Sequence, residues 1–168
     1  MGWRPLLATD LALLVELADT IHRDHPESPE ALASRLQVFP AGCFIAEGGN
    51  GLETEDGLGY CLSHPGTMGQ PPALDCVLTA LPARPDCLYL HDLALLPEAR
   101  SQRLGEAMVA LLTDVARAHG LDHIALTAVS NSWGFWERQG FERRACPALA
   151  GYGAAAVYMV KALSTAPR

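Results

Sequence analysis

The 168 residues suit one domain large enough to bury a core, and with 49% hydrophobic and 18% charged residues the chain is globular rather than disordered or fibrous. A formal net charge of -7 disfavours nucleic acid and anionic membrane as partners, because both need a positive field. It mildly favours a cationic or amine-bearing partner, although solubility explains it at least as well.

Trp3 to Leu7 opens as a short strand. Thr9 or Asp10 then caps a helix whose apolar positions Leu11, Leu14, Val15, Ala18 and Ile21 recur at helical spacing. His22 to Glu27 is a polar break. Ser28 caps a second helix with Pro29 at its first position and Leu32, Leu36 and Phe39 on its apolar side; Pro40-Ala41-Gly42 ends it. Cys43–Glu47 and Leu58–Ser63 form an antiparallel hairpin around the turn at Gly48-Gly49-Asn50-Gly51 and the acidic residues after it. His64 to Asp86 is a long, proline-rich connection with one short helical candidate, Ala73–Leu81, and a loop of that length is functional or mobile in most compact domains. Cys87–Leu96 is the strongest strand. Leu104, Ala107, Met108, Leu111, Leu112 and Val115 make a helical stripe closed by His119-Gly120. His123–Val129 is a strand, Ser132–Arg138 a short helix, and Phe141–Ala145 and Ala155–Lys161 are closing strands. The order predicts a mixed, mostly antiparallel sheet with helices on both faces.

Five cysteines, Cys43, Cys61, Cys76, Cys87 and Cys146, fit no zinc spacing and no CxxC pair. Cys43, Cys61 and Cys87 sit in apolar runs, where cysteine acts as a small hydrophobe. The odd count, with no visible secretory signal, points to a reducing cytoplasm. Leu11–Ala18 is too short, and too interrupted by charge, to span a membrane.

The chemistry starts at the loop between the strongest strand and the long helix. Arg100-Ser101-Gln102-Arg103-Leu104-Gly105 opens that helix, whose N-terminus carries unpaired N–H groups and partial positive charge. Such an end binds anions and suits a diphosphate. Gly105 lets the backbone approach a ligand, and Arg100 and Arg103 add guanidinium groups matched to phosphate. By itself the segment also reads as a plain connection.

The run Leu90-His91-Asp92-Leu93-Ala94-Leu95-Leu96-Pro97-Glu98-Ala99-Arg100, followed by Leu104 to Met108, resembles the acetyl-CoA signature of the GNAT superfamily of N-acetyltransferases. That pattern is Gln or Arg, two variable residues, Gly, a variable residue, then Gly or Ala. Asn131 with Phe135-Trp136-Glu137-Arg138-Gln139-Gly140-Phe141 resembles the second motif of the family, at the family's separation. The resemblance implies an α/β single-domain acyltransferase fold over residues 1–168, with acetyl-CoA as co-substrate and no metal. It implies that backbone groups of Leu93, Ala94 and Leu95 meet the pantetheine arm. The amides from Arg100 through Ser101, Gln102, Arg103 and Leu104 to Gly105, with Glu106 and Ala107, would surround the pyrophosphate. Asn131, Phe135 and Trp136 would lie against the arm from the other side, where two strands splay. Two positions depart from the family: Arg103 replaces the first motif glycine, and Trp136 stands where a tyrosine commonly protonates the departing thiolate. Indole cannot serve as that acid. Tyr152, Ser130, Ser132 and water are the candidates, and a thiolate with a pKa of about 8–9 can also leave without a strong acid.

Transfer of acetyl to an amine needs a neutral amine, hence a general base or water relay. His91 is the leading candidate, and some family members carry a histidine at matching positions. Strand alternation puts Tyr89, His91 and Leu93 on one face and Leu90, Asp92 and Ala94 on the other, which predicts no direct His91–Asp92 pair and a structural, backbone-bonded Asp92. A structural His91 is the competing reading. Tyr89 reads equally as a substrate-facing phenol or as packing, and Tyr152, between Gly151 and Gly153, as a cleft residue or as edge packing. His22, Asp24, His25 and Glu27 form a polar loop where the family shapes its acceptor pocket. The expected reaction acetylates a primary amine of a small molecule. A CoA-binding regulatory domain without turnover, an acetyltransferase of proteins or peptides, and a structural module without nucleotide remain open, as do the acceptor's identity and a homodimer through edge strands.

Overall fold

The computed structural model describes residues 2–24, 26–48, 57–100, 103–153 and 155–164. The strands are β1 (Gly2–Pro5), β2 (Cys43–Glu47), β3 (Gly59–Gly66), β4 (Cys87–Leu95), β5 (His123–Ala128), β6 (Glu142–Arg143) and β7 (Val157–Ala162). The helices are α1 (Leu11–Ile21), α2 (Pro29–Val38), α3 (Leu104–Ala118) and α4 (Trp133–Arg138). This is the order the sequence predicts. The seven strands form one sheet in the order β1-β2-β3-β4-β5-β7-β6. Every pairing is antiparallel except β4 with β5. A parallel neighbour needs a crossover, and α3 supplies it.

Alternating apolar residues send the two faces of the sheet into separate cores. Leu88, Leu90, Ile124 and Leu126 pack with Met108 and Leu112 of α3, and with Trp136 of α4. On the opposite face Ile45, Tyr60, Leu62 and Ala94 meet Leu14 and Leu17 of α1 and Leu32 and Leu36 of α2. Beyond α1 and α2, that same face at β4, β5 and β7 is covered by loop residues: Met68, Cys146 and Leu149 pack over Cys87, Tyr89, Ala125, Tyr158 and Val160.

Three local expectations are revised. Ala73–Leu81 is not helical. Asp75 has a left-handed backbone, φ 53°, and the donors and acceptors of the segment go to α2 instead: the Leu78 amide donates to Ser34 Oγ, and Arg35 donates to the Cys76 carbonyl. β1 stops at Pro5, where the sequence suggested Leu7. Between β6 and β7 the chain makes a 3-10 turn at Pro147–Gly151, so the strand expected over Phe141–Ala145 is two residues long. The hairpin turn from Gly49 to Asp56 lies outside the described residues. Cys43, Cys61 and Cys87 are wholly buried, and burial pushes the Cys43 and Cys87 thiols up to about 12, as befits packing groups.

Candidate active site

β4 and β5 pair only from Leu88↔Ile124 to Leu90↔Leu126, after which they diverge. On its other edge β4 stays paired with β3 as far as Leu95. The edge of residues 91–95 turned away from β3 therefore has no strand beside it, and its backbone groups face a cleft of about 720 Å³. The cleft is lined by Leu93, Ala94 and Leu95 on one side and by Ser130, Ser132, Phe135 and Trp136 on the other, with Arg100, Arg103, Gly105 and Glu106 across one end.

That end is the N-terminus of α3, fifteen residues long, whose first-turn amides have no carbonyl partners within the helix. Arg103 caps it in the left-handed conformation, φ 57°, and is exposed. A glycine belongs at such a φ, so the motif's glycine position keeps its backbone shape here while carrying a cation. Arg138 of α4 adds a third guanidinium to the cleft wall. Leu104 is buried and its carbonyl accepts from Trp3 Nε1 at 2.8 Å, which moors the start of α3 to β1. Ala107 is exposed on the first turn of α3. Ser101 and Gln102 lie outside the described residues. Gly105 has a role the sequence did not indicate. A Cβ placed there would sit 2.8 Å from Phe135 Cζ, so the missing side chain makes room for the ring that forms the facing wall. Ser130 and Asn131 take successive left-handed conformations, φ 54° and 60°, that turn the chain sharply from β5 into α4. Asn131 itself is exposed between two cleft-lining serines.

The reactive side of the cleft depends on a bulge. Register runs Leu62↔Asp92 and then Ser63↔Leu90, so His91 is the extra residue on β4. The alternation expected from the sequence breaks at that point. Leu90 and Leu93 both pack toward α3, while His91 and Asp92 both turn toward the α1–α2 junction. His91 Nε2 lies 2.7 Å from Glu27 Oε1, and Asp92 accepts from Tyr60 Oη at 2.6 Å and bonds His22 Nε2 at 3.0 Å. Asp92 is thus held by two side chains rather than by nearby backbone, and Glu27 and His22 belong to the site rather than to a solvated loop. Burial opposes the Asp92 charge, but His22 and Tyr60 outweigh it and hold the carboxyl below its usual range. The same bond to Asp92 raises the His22 pKa against the effect of burial. Burial, then Asp92, push the Tyr60 phenol far up, so it remains a donor.

Glu27 takes the Nε2–H of His91, which leaves the lone pair on Nδ1. Among the described residues Nδ1 has no protein partner, and His91 lines the cleft beside His22 and Ile21. The arrangement presents a basic nitrogen oriented by a carboxylate. Tyr89 is buried and bonds Thr127 Oγ1 at 2.9 Å; burial and the neighbouring Tyr152 raise its pKa. Tyr152 donates to the Pro72 carbonyl, which ties the turn before β7 to the β3–β4 connection. It is not among the residues lining the cleft. Ser132 Oγ donates to the Val129 carbonyl, and Ser130 lines the cleft.

Glu27 and His22 are legible in the sequence as a polar cluster, while their partners on β4 are set by the bulge at His91. Arg138 carried a signal, as a basic residue in the second motif helix. Among the described residues no group of His, Cys, Asp or Glu could hold a metal, and no helix is long and apolar enough to cross a membrane.

Residues 14–141 match the model of the acetyltransferase (GNAT) family. No curated protein matches the sequence. Solved structures share the fold at low identity. The GphF GNAT-like decarboxylase in complex with isobutyryl-CoA superposes with a TM-score of 0.78 at 15% identity, covering 98% of this chain and 100% of that one. The loading GNATL domain of CurA from Lyngbya majuscula gives 0.76 at 14%, covering 96% of each chain. The ribosomal-protein-S18-alanine N-acetyltransferase from Escherichia coli gives 0.66 at 19%, covering 99% of this chain and 96% of that one.

Proposed function

Because the chain belongs to the acetyltransferase (GNAT) family, we propose that it transfers acetyl from acetyl-CoA to a primary amine of a small molecule, by direct attack of the amine on the thioester. The observation that carries this reading is the juxtaposition, in one cleft, of an unpaired β4 edge, the amide-rich start of α3 and the His91–Glu27 pair.

Support for coenzyme A comes from the fit of the cleft. It is long, open along one strand edge, and ends at a helix N-terminus with Arg100, Arg103 and Arg138 nearby, as a pantetheine arm and diphosphate require. The relatives that share the fold include proteins solved with CoA or acyl-CoA. When bound, acetyl-CoA supplies a thioester, an acyl donor whose leaving group is a thiol. The chain's own residues supply the rest. Exposed backbone groups of residues 91–95 align the arm, and Phe135, backed by Gly105, closes the opposite wall. His91 Nδ1 takes a proton from the acceptor ammonium, and Glu27 stabilises the imidazolium that results. Trp136 packs at the cleft with no ionisable group, so the thiolate is protonated by solvent or by way of the serines that line the cleft.

A small acceptor is favoured over a peptide by the closure of the acceptor side. The Tyr152 bond to the Pro72 carbonyl joins the turn before β7 to the β3–β4 connection, and Met68, Cys146 and Leu149 of these segments cover the sheet face at β4, β5 and β7. A CoA-binding domain without turnover is the second reading, favoured by Trp136. Incubation with acetyl-CoA and a panel of amines decides between them: thiol release that depends on the amine supports the enzyme, and calorimetric binding with no release across the panel supports the sensor. The location we propose is the cytoplasm, consistent with five free cysteines.

A further inference from the structure

A second cavity of about 360 Å³ lies under the β3–β4 connection, and its volume is that of a small-molecule site. It shares no lining residue with the cleft that ends at α3. His64 of β3 and Tyr89 of β4 line it and are each 3% exposed, whereas Gln70, Ala80 and Pro82 line it and are exposed. The cavity therefore runs from the sheet to the surface. Its remaining wall is mostly apolar, with Pro72, Leu78 and Leu81, and no aspartate, glutamate, lysine or arginine lines it.

His64 gives the buried end its chemistry. Its Nδ1 lies 2.9 Å from the Pro65 carbonyl, which can only accept, so Nδ1 carries the ring hydrogen. Nε2 then carries the lone pair, and it is buried with no partner among the described residues. Buried polar atoms without a partner are few in native proteins, and leaving one unpaired costs free energy. What Nε2 lacks is a hydrogen-bond donor. The Tyr89 hydroxyl is engaged with Thr127 instead. The charge of the missing donor is constrained as well. Burial, opposed by the bond to Pro65 and aided by the charges of His91 and Arg35, pushes the His64 pKa down to about 4. The ring thus stays neutral, and a further positive charge beside it is opposed. An anion would meet a lone pair and an apolar wall, with no cation lining the cavity. A neutral hydroxyl or N–H group satisfies both conditions.

We propose that this cavity binds an uncharged small molecule, or the uncharged end of one, whose hydroxyl or N–H group donates to His64 Nε2 while its apolar body packs against the proline and leucine wall. Two sources share that chemistry: the far end of the acceptor amine, and a separate ligand entering from the surface at Ala80. Tyr89 lines the cavity two residues before His91, and its hydroxyl bonds Thr127, which lines the cleft, so the two volumes share a wall. Binding at His64 does not depend on the acetyl-transfer reading; use of the cavity by the acceptor does.

The test uses the full chain and pairs of probes that differ in one donor. Phenol and fluorobenzene have nearly the same shape, but only phenol can donate. Calorimetry with CoA present should find phenol bound about fivefold to tenfold more tightly, the worth of one neutral hydrogen bond. The ring nitrogen resonance of His64 should move with phenol and not with fluorobenzene. His64→Phe keeps a ring without the acceptor and should abolish the preference. Ala80→Trp, at an exposed position on the cavity wall, should abolish binding of both probes while CoA affinity is retained. Equal binding of the pair, binding of neither, or a preference that survives Ala80→Trp would overturn the proposal. Should His64→Phe fail to fold, the nitrogen resonance and Ala80→Trp decide. The source is assigned by comparing tyramine with para-fluorophenethylamine in thiol release from acetyl-CoA. A preference in kcat/KM that Ala80→Trp abolishes gives the cavity to the acceptor, and equal rates beside an intact phenol preference give it to a separate ligand. No thiol release with any amine, beside an intact phenol preference, refutes the acetyl-transfer reading and leaves the cavity's ligand chemistry assigned.

Discussion

His91 Nε2 and Glu27 Oε1 lie 2.7 Å apart although 64 residues separate them in the chain. One comes from a bulge in β4 and the other from the junction of α1 and α2. The pair fixes the tautomer of His91 and leaves Nδ1 without a protein partner among the described residues. His91→Ala should lower kcat/KM by about a hundredfold or more, the usual contribution of a general base. Glu27→Gln removes the negative charge opposite the imidazolium and should lower kcat by about tenfold with little change in CoA affinity. Full activity in His91→Ala, assayed by thiol release, would remove the residue from the base role.

Gly105 and Phe135 form the second close contact of the site. Gly105→Ala forces the Phe135 ring edge aside, because 2.8 Å is nearer than a Cβ approaches carbon. The expected cost is about 1–3 kcal/mol of stability, with weaker CoA binding. Adding Phe135→Leu should restore the stability but not the affinity. Thermal unfolding and calorimetry of the single and double variants check both; an unchanged single variant would show that the ring moves freely.

Arg103 holds a left-handed backbone at the start of α3. Arg103→Ala keeps that strain and removes the charge, whereas Arg103→Gly removes both. Gly should therefore exceed Ala in stability by about 1 kcal/mol, and both should weaken CoA binding relative to Arg. Chemical denaturation of the two variants gives the comparison, and equal stability would mean that the loop relaxes.

His64 predicts a pH dependence of stability. Burial, against a hydrogen bond to Pro65 and with His91 and Arg35 nearby, lowers its pKa to about 4. The ring packs against Tyr89 of β4, and the charged groups that act on it are His91 of β4 and Arg35 of α2. In the unfolded chain the group titrates near its ordinary value of about 6.5. Between those values the unfolded state binds the extra proton, so stability falls as pH drops from about 6.5 toward 4, by about 3 kcal/mol at most. His22 has the opposite sign: its raised pKa adds stability below about 6.5 that is lost as pH rises through the folded value. The fall on the acid side therefore belongs to His64 until the carboxylates titrate. Unfolding of His64→Gln across that range should be flatter than that of the natural chain, and an identical slope would assign the dependence elsewhere.

The sequence determined the element order and the two motifs. Helical and strand periodicities depend on near neighbours, and the motif residues from Arg100 to Gly105 and from Asn131 to Phe141 lie within single strand–loop–helix units. Such features are local, so pattern and spacing expose them. Composition likewise favoured burial for Cys43, Cys61 and Cys87.

Only the tertiary structure decided which polar groups meet. One extra residue at His91 puts His91 and Asp92 on the same side of β4, and no single-strand pattern carries that information, because a bulge is defined by what the neighbouring strand pairs with. The same holds for Ala73–Leu81, whose helix-like composition is overruled by hydrogen bonds to Ser34 and Arg35. The start of α3 near Leu104 was legible as a helix N-terminus, but what Gly105 accommodates became visible only when α4 brought Phe135 across the cleft. Local free energies specify elements; the partners of Glu27, Asp92 and Arg35 are set by long-range packing, in which residues distant in sequence share one buried volume.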